Sequence, residues 1–304
     1  MIITIRPFTG AADIERMIEL AQTFPDQCLR AVDLPYRLAS WTLDNSRNAS
    51  LWEDESGGLL GFAVIQLPWH SLDTCAHPAA CEAGIEELML VWATERAQEI
   101  VDQTNRALTL YVDALEYDLD RVALLAAHGF APDYPSMIRM ARSLDRVLPA
   151  PVLPDGFILR PINGMREVQE YVALHRAAFG TADMTIEWRK RTLCMPQYIP
   201  ELDVVAVAPD GRLAAFCICW LGPKEGEGYI EPLGVHPDFA GLGLGRAVLL
   251  EGLWRLQAHG AMIALIDRYE GDESARALYE SLGFRTHVRT VTYTRRFYVL
   301  QKSV

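Results

Sequence analysis

Two changes of hydrophobic period mark the stretch from Tyr229 to Ala258. Residues 228–235 alternate, with Tyr229, Glu231, Leu233 and Val235 on one face, which predicts a strand that Pro237 stops. Gly241, Gly243 and Gly245 then recur at every second position. From Arg246 the apolar residues Leu249, Leu250, Leu253, Trp254 and Leu256 fall at helical spacing until Gly260. A strand, a glycine loop and a helix N-terminus in succession suit an anion. Glycine tolerates positive φ, and the first-turn amides lack intrahelical partners and point into the loop. The spacing is neither that of a dinucleotide fingerprint, which needs GxGxxG, nor that of a Walker loop, since Arg246 and Ala247 follow Gly245. A tight connection with no ligand would use the same glycines.

The same periodicities partition the rest of the chain. In the first half, residues 2–5 read as a strand, and 13–22 as a helix with Ile14, Met17, Ile18 and Ala21 on one stripe. Residues 51–53 and 60–67 form a hairpin around Ser56-Gly57-Gly58. Then come a helix over 83–101, a strand over 108–112 and a helix over 121–127 closed by Gly129. His70 and His77 fall in a loop, read as incidental rather than metal-binding. In the second half the pattern gives a strand at 158–160 and helices at 165–179 and 185–194. A hairpin of 204–208 with 213–220 and a strand at 261–266 follow. Asp272 caps the next helix, and 288–299 closes as strands whose Arg289, Arg295 and Arg296 solvate an edge.

The chain repeats itself. IRPFTGAADIERMIELAQTF from Ile5 matches LRPINGMREVQEYVALHRAAF from Leu159, with Arg6 and Arg160 lying 154 positions apart. That offset also sets Leu59–Phe62 on Leu213–Phe216, Asp113 on Asp267, Asp118 on Asp272, and Gly129-Phe130 on Gly283-Phe284. A period this long implies two domains, 1–148 and 157–304, joined by the proline-rich linker 149–156. Interpolated through residues 70–105, it sets Gly241, Gly243 and Gly245 against Glu87, Met89 and Val91, and Glu231 against His77. Glu86 and Glu87 would repel a diphosphate there, so the first copy reads as having lost its anion loop.

Composition narrows the partners. Half of the 304 residues are hydrophobic, which fits a globular chain. A net charge of −12 argues against nucleic acid and favours cationic small molecules or mere solubility. No apolar run nears the ~20 residues of a membrane span, and MIITIRPF does not open a signal peptide. The six cysteines show no CxxC or zinc spacing, so no metal is expected, and reduced core thiols fit a cytoplasmic protein.

GVHPDFAGLGLGRAVL resembles the acetyl-CoA loop of the GNAT superfamily of N-acetyltransferases, and ESARALYESLGF, residues 273–284, resembles that family's other signature helix. Ala240 departs from the Arg or Gln usual there. The resemblance implies two tandem mixed α/β domains, each a mainly antiparallel twisted sheet flanked by helices, the first degenerate. It implies acetyl-CoA held by backbone groups of Gly241, Leu242, Gly243, Leu244, Gly245 and Arg246, and along Leu233, Gly234 and Val235 beside a splay at Pro232. Asp272 replaces an Asn that often touches the cofactor. Glu231 would deprotonate the acceptor, with Glu227 and Tyr229 as weaker rivals, and Tyr279, a phenol of pKa about 10, would protonate the leaving thiolate. The acceptor would be a primary amine of a small molecule, bordered by His175, Trp188 and Tyr198, acetylated directly in a ternary complex. Two competing readings are an acetyltransferase acting on a protein amine and a non-catalytic acyl-CoA sensor. A sensor needs the glycine loop but neither Glu231 nor Tyr279.

Overall fold

The computed structural model describes residues 2–133 and 136–299. The first half runs β1 (Thr4–Pro7), α1 (Ala11–Thr23), α2 (Leu34–Leu38), β2 (Ala49–Glu53), β3 (Leu59–Gln66), β4 (Ser71–Ala76), α3 (Pro78–Cys81), α4 (Ile85–Thr104), β5 (Leu108–Leu115), α5 (Leu119–Ala127), β6 (Ala131–Asp133) and β7 (Met137–Ser143). The second runs β8 (Ile158–Pro161), α6 (Val168–Phe179), α7 (Ile186–Leu193), β9 (Asp203–Val207), β10 (Leu213–Leu221), β11 (Glu227–Val235), α8 (Leu244–Ala258), β12 (Ile263–Tyr269), α9 (Glu273–Ser281) and β13 (Arg285–Phe297).

All described strands join one mixed sheet, ordered β1-β2-β3-β4-β5-β13-β7-β12-β11-β10-β9-β8, with β6 beside β13. Its two ends mirror each other. Parallel pairing occurs at β4–β5 and at β11–β12, and the other pairs are antiparallel. The centre is an exchange. β7 of the first half pairs with β12 from Ile263↔Ser143 to Tyr269↔Met137. β13 leaves β7 after Arg289↔Ile138 and pairs with β5 from Thr290↔Leu115 to Phe297↔Leu108. Each half thus receives its closing strand from the other. The expectation of a solvated edge at 288–299 is overturned, because β13 is interior: Arg295 reaches the carbonyl of His128 at 2.6 Å and Arg289 pairs with Glu270 at 3.1 Å.

The repeat extends to contacts. Arg6 binds Asp13 at 2.6 Å, and Arg160 binds Glu167 at 2.5 Å. The register between residues 70 and 105, however, is not the interpolated one. His77 and His236 each accept, through Nδ1, the amide two residues on, at 3.2 and 3.1 Å. Gly84 and Gly243 each start the following helix in a left-handed conformation, φ 77° and 78°. Gly241, Gly243 and Gly245 therefore stand opposite Glu82, Gly84 and Glu86. The slip is absorbed because α4 has 20 residues and α8 has 15. Residues 71–76, expected as loop, are strand β4; the buried Asp73 that breaks its pattern is neutralised by Arg37 at 2.7 Å.

Helices cover both faces of each half, α4 and α1 in the first, α8 and α6 in the second. The halves also share a core: Tyr36 of α2 packs with Tyr171, Trp188 and Trp220. Burying these large apolar faces at the junction favours a fixed relation between the halves.

Candidate functional site

β11 and β12 pair only from Glu227↔Ile263 to Ile230↔Ile266. Beyond Ile230, β11 also bulges away from β10, since its register shifts between the Cys219↔Ile230 and Cys217↔Leu233 pairs. Glu231 and Pro232 occupy that bulge, where a residue without an N–H costs the ladder nothing. The stretch from Glu231 to Val235 consequently presents backbone toward a wedge rather than toward β12. Gly234 lets β11 pass tightly, since a Cβ there would fall 2.6 Å from the Phe216 ring.

α8 begins at the mouth of this wedge. Gly241 and Gly243 adopt φ of 77° and 78°, and a Cβ on either would meet nothing within 4 Å, so this side of the loop is open. The Ala247 amide closes the first turn onto Gly243 O at 3.1 Å, leaving the amides of Leu244, Gly245 and Arg246 ahead of it. No acidic residue sits in this first turn. The donor set fits the diphosphate of an acyl-CoA. Arg246 ties α8 to α9 through Ser281 at 2.7 Å.

A cavity of about 670 Å³ lies between the wedge and the first half. Glu231, Leu233, Asp272 and Tyr279 line it from the second half, together with His175 and Trp188. Glu231 is half-buried and, among the described residues, has no ion-pair partner. Burial first, and then the negative charges of Asp33 and Asp267, push its pKa up to about 8, against the pull of Arg30 and Arg37. Tyr279 is 7% exposed, and burial raises its phenol well above the ordinary value, so it keeps its proton at neutral pH. Asp272 accepts the Ala275 amide at 2.8 Å as the cap of α9.

The weaker candidates divide. His175 faces the cavity, but burial first, and then Arg189 and Arg176, lower its pKa to about 4, so it is neutral. Trp188 lines the cavity and donates to the carbonyl of Tyr36 at 3.1 Å. Tyr198 does not line it; its hydroxyl donates to Asp203 at 2.7 Å, within the buried Arg189–Asp203 pair. Of the rival bases, Tyr229 is buried and donates to Asp267 at 3.0 Å, while Glu227 lies outside the cavity.

The first-half wall went unread in the sequence. Arg30 bridges Asp113 at 2.8 Å and Asp267 at 3.4 Å, and Arg139 binds Asp267 at 2.8 Å. Burial works to raise Asp267, but Arg139 and Arg30 hold it below the usual carboxylate value. Asp113 and Asp267 were visible only as landmarks of the repeat; their shared place at the 154-residue offset was the available signal.

Known proteins give a consistent answer. The profile of the Acetyltransferase (GNAT) family matches residues 169–284. A mycothiol acetyltransferase of Segniliparus rotundus is 32% identical over 266 residues, covering 83% of this chain and 97% of that protein. One of Kineococcus radiotolerans is 34% identical over 184 residues; this match takes in 58% of this chain and spans only 59% of that protein. A solved tandem GNAT protein from the clavulanic acid biosynthesis pathway shares the fold over 97% of this chain and 98% of its own, with a TM-score of 0.66 at 18% identity. The chain therefore belongs to the GNAT acetyltransferase family.

Proposed function

We propose that the chain moves acetyl from acetyl-CoA to a primary amine of a small molecule within one ternary complex. The observation that carries this reading is the placement of Glu231 and Tyr279 on one cavity at the mouth of the β11–β12 wedge. Bound acetyl-CoA would supply the activated acetyl thioester. Backbone amides of 241–246 would hold its diphosphate, Leu233, Gly234 and Val235 its pantetheine arm, and Asp272 would border the arm. Glu231 Oε takes a proton from the acceptor ammonium and frees the nitrogen lone pair for attack. As the C–N bond forms and the C–S bond breaks, Tyr279 Oη donates a proton to the departing sulfur, and the second proton lost by the nitrogen restores the phenol. We read 157–304 as the acetyl-CoA-binding domain, 149–156 as a linker, and 1–148 as a copy that no longer binds the cofactor. A cytoplasmic setting, where acetyl-CoA is made, fits the six free cysteines.

Relatives named for mycothiol make a mycothiol-type amine the first acceptor to assay. Thiol release from acetyl-CoA across an amine panel tests the reading. Tyr279→Phe is expected to lower kcat about 100-fold with unchanged acetyl-CoA affinity. Unchanged turnover in that variant, or no turnover with any amine, would favour an acyl-CoA sensor instead.

A further inference from the structure

The cavity's first-half wall carries three charged side chains from the segment entering α2: Arg30, Asp33 and Arg37. Two of them are already matched. Arg30 lies between Asp113 and Asp267. Arg37 grips Asp73 through Nε at 2.7 Å and Nη2 at 2.9 Å, and also binds Ser71 at 2.6 Å. Asp33 is matched only from a distance: Arg30 and Arg37 both act on it, but among the described residues no cation comes closer than 3.9 Å. Asp33 is 2% exposed, it lines the cavity, and among the described residues its Oδ1 has no hydrogen-bond partner. The Arg37 Nη1 approaches its Oδ2 only to 3.9 Å, at the limit of an ion pair. Burial raises the Asp33 carboxyl above its ordinary pKa in spite of Arg30 and Arg37, as expected of an acid short of a cation.

A buried carboxylate oxygen without a donor is costly, and so is a buried charge without a counter-charge. A hydroxyl would meet the first need and an ammonium would meet both. The rings of Tyr36, Trp69 and Trp188 line the same cavity, 5.2 to 6.2 Å apart between centroids, a wall suited to a short apolar spacer. Asp33 and Glu231 line the same cavity, and the Asp33 charge is the largest of those that raise Glu231.

Resting on the acceptor reading above, we propose that Asp33 seats a second protonated amine of the acceptor, whose reacting nitrogen faces Glu231. The acceptor is then a compact dication. The first half, without a cofactor of its own, would select the substrate.

Calorimetry on the full chain with coenzyme A present tests this without turnover. The probes are α,ω-diaminoalkanes of two to six carbons, the matching n-alkylamines and the matching amino-alcohols. At least one diamine is expected to bind about 100-fold more tightly than its monoamine. Asp33→Asn, near-isosteric and checked by thermal melting, is expected to erase that preference while coenzyme A binding stays unchanged. Equal binding of mono- and diamines to the wild type overturns the proposal whether or not the variant folds. So does equal binding of amino-alcohols and diamines, or an Asp33→Asn loss shared by both amine classes. Turnover of monoamines with no diamine preference would sink Asp33 alone, and diamine preference without turnover would sink only the Glu231–Tyr279 chemistry.

Discussion

The two strand–loop–helix junctions, one in each half, have nearly the same backbone and opposite prospects. Both set a histidine cap after the strand and a left-handed glycine before the helix. Both follow a pair of parallel strands that part early, β4–β5 at Ser71↔Tyr111 and β11–β12 after Ile230↔Ile266. The differences are side chains. Where α8 has Gly245, α4 has Glu86, and Glu87 joins it in the first turn. Where α9 has Ala275 on the cavity, α5 has Arg121, which crosses the first wedge to Glu86 at 3.0 Å and Thr74 at 3.2 Å. Where β11 bulges at an unpaired Glu231, β4 runs in unbroken register with β3, and its Asp73 is engaged by Arg37. On the proposed reading, parted strands and a helix N-terminus are not enough: cofactor binding also needs side chains removed from the wedge, and acetyl transfer a carboxylate left without a close cation.

The comparison can be broken most sharply at the carboxylate. With a pKa near 8, Glu231 is mostly protonated at pH 7, and only its ionised form accepts a proton. Acceptor kcat/KM should rise about tenfold per pH unit below 8 and level above it. Glu231→Gln should remove this limb and lower the plateau by roughly 1,000-fold. A limb that survives in the variant would assign it to another group. The next largest effect is expected from Gly245→Glu, which installs the first half's residue. Its Cβ would lie 3.3 Å from Val235 Cγ2, and its charge would face the diphosphate. The acetyl-CoA KM should rise on the order of 100-fold, and an unchanged KM would remove the reason for proposing that the α4 junction does not hold the cofactor.

What the sequence revealed was local. The alternation of β11, the glycines and the spacing of α8 and α9 lie within short windows, so the fold class and the strand–glycine loop–helix junction could be read from them. β4 and β7 could not, because their polar residues are neutralised from a distance: Arg139 on β7 answers Asp267, and Arg142 is taken up by the carbonyl of Leu282. The cavity wall was hidden for the same reason, with Arg30 reaching partners 83 and 237 positions away. Tyr198 misled in the opposite direction, since an aromatic hydroxyl shortly after α7 was engaged by Asp203 five residues on.

The central claim is that one junction of the two binds the cofactor. Calorimetric titration of the full chain with acetyl-CoA tests it directly. The account predicts one site per chain, lost in Gly245→Glu and indifferent to Glu86→Gln. Two sites per chain, or a single site that survives Gly245→Glu, would contradict it.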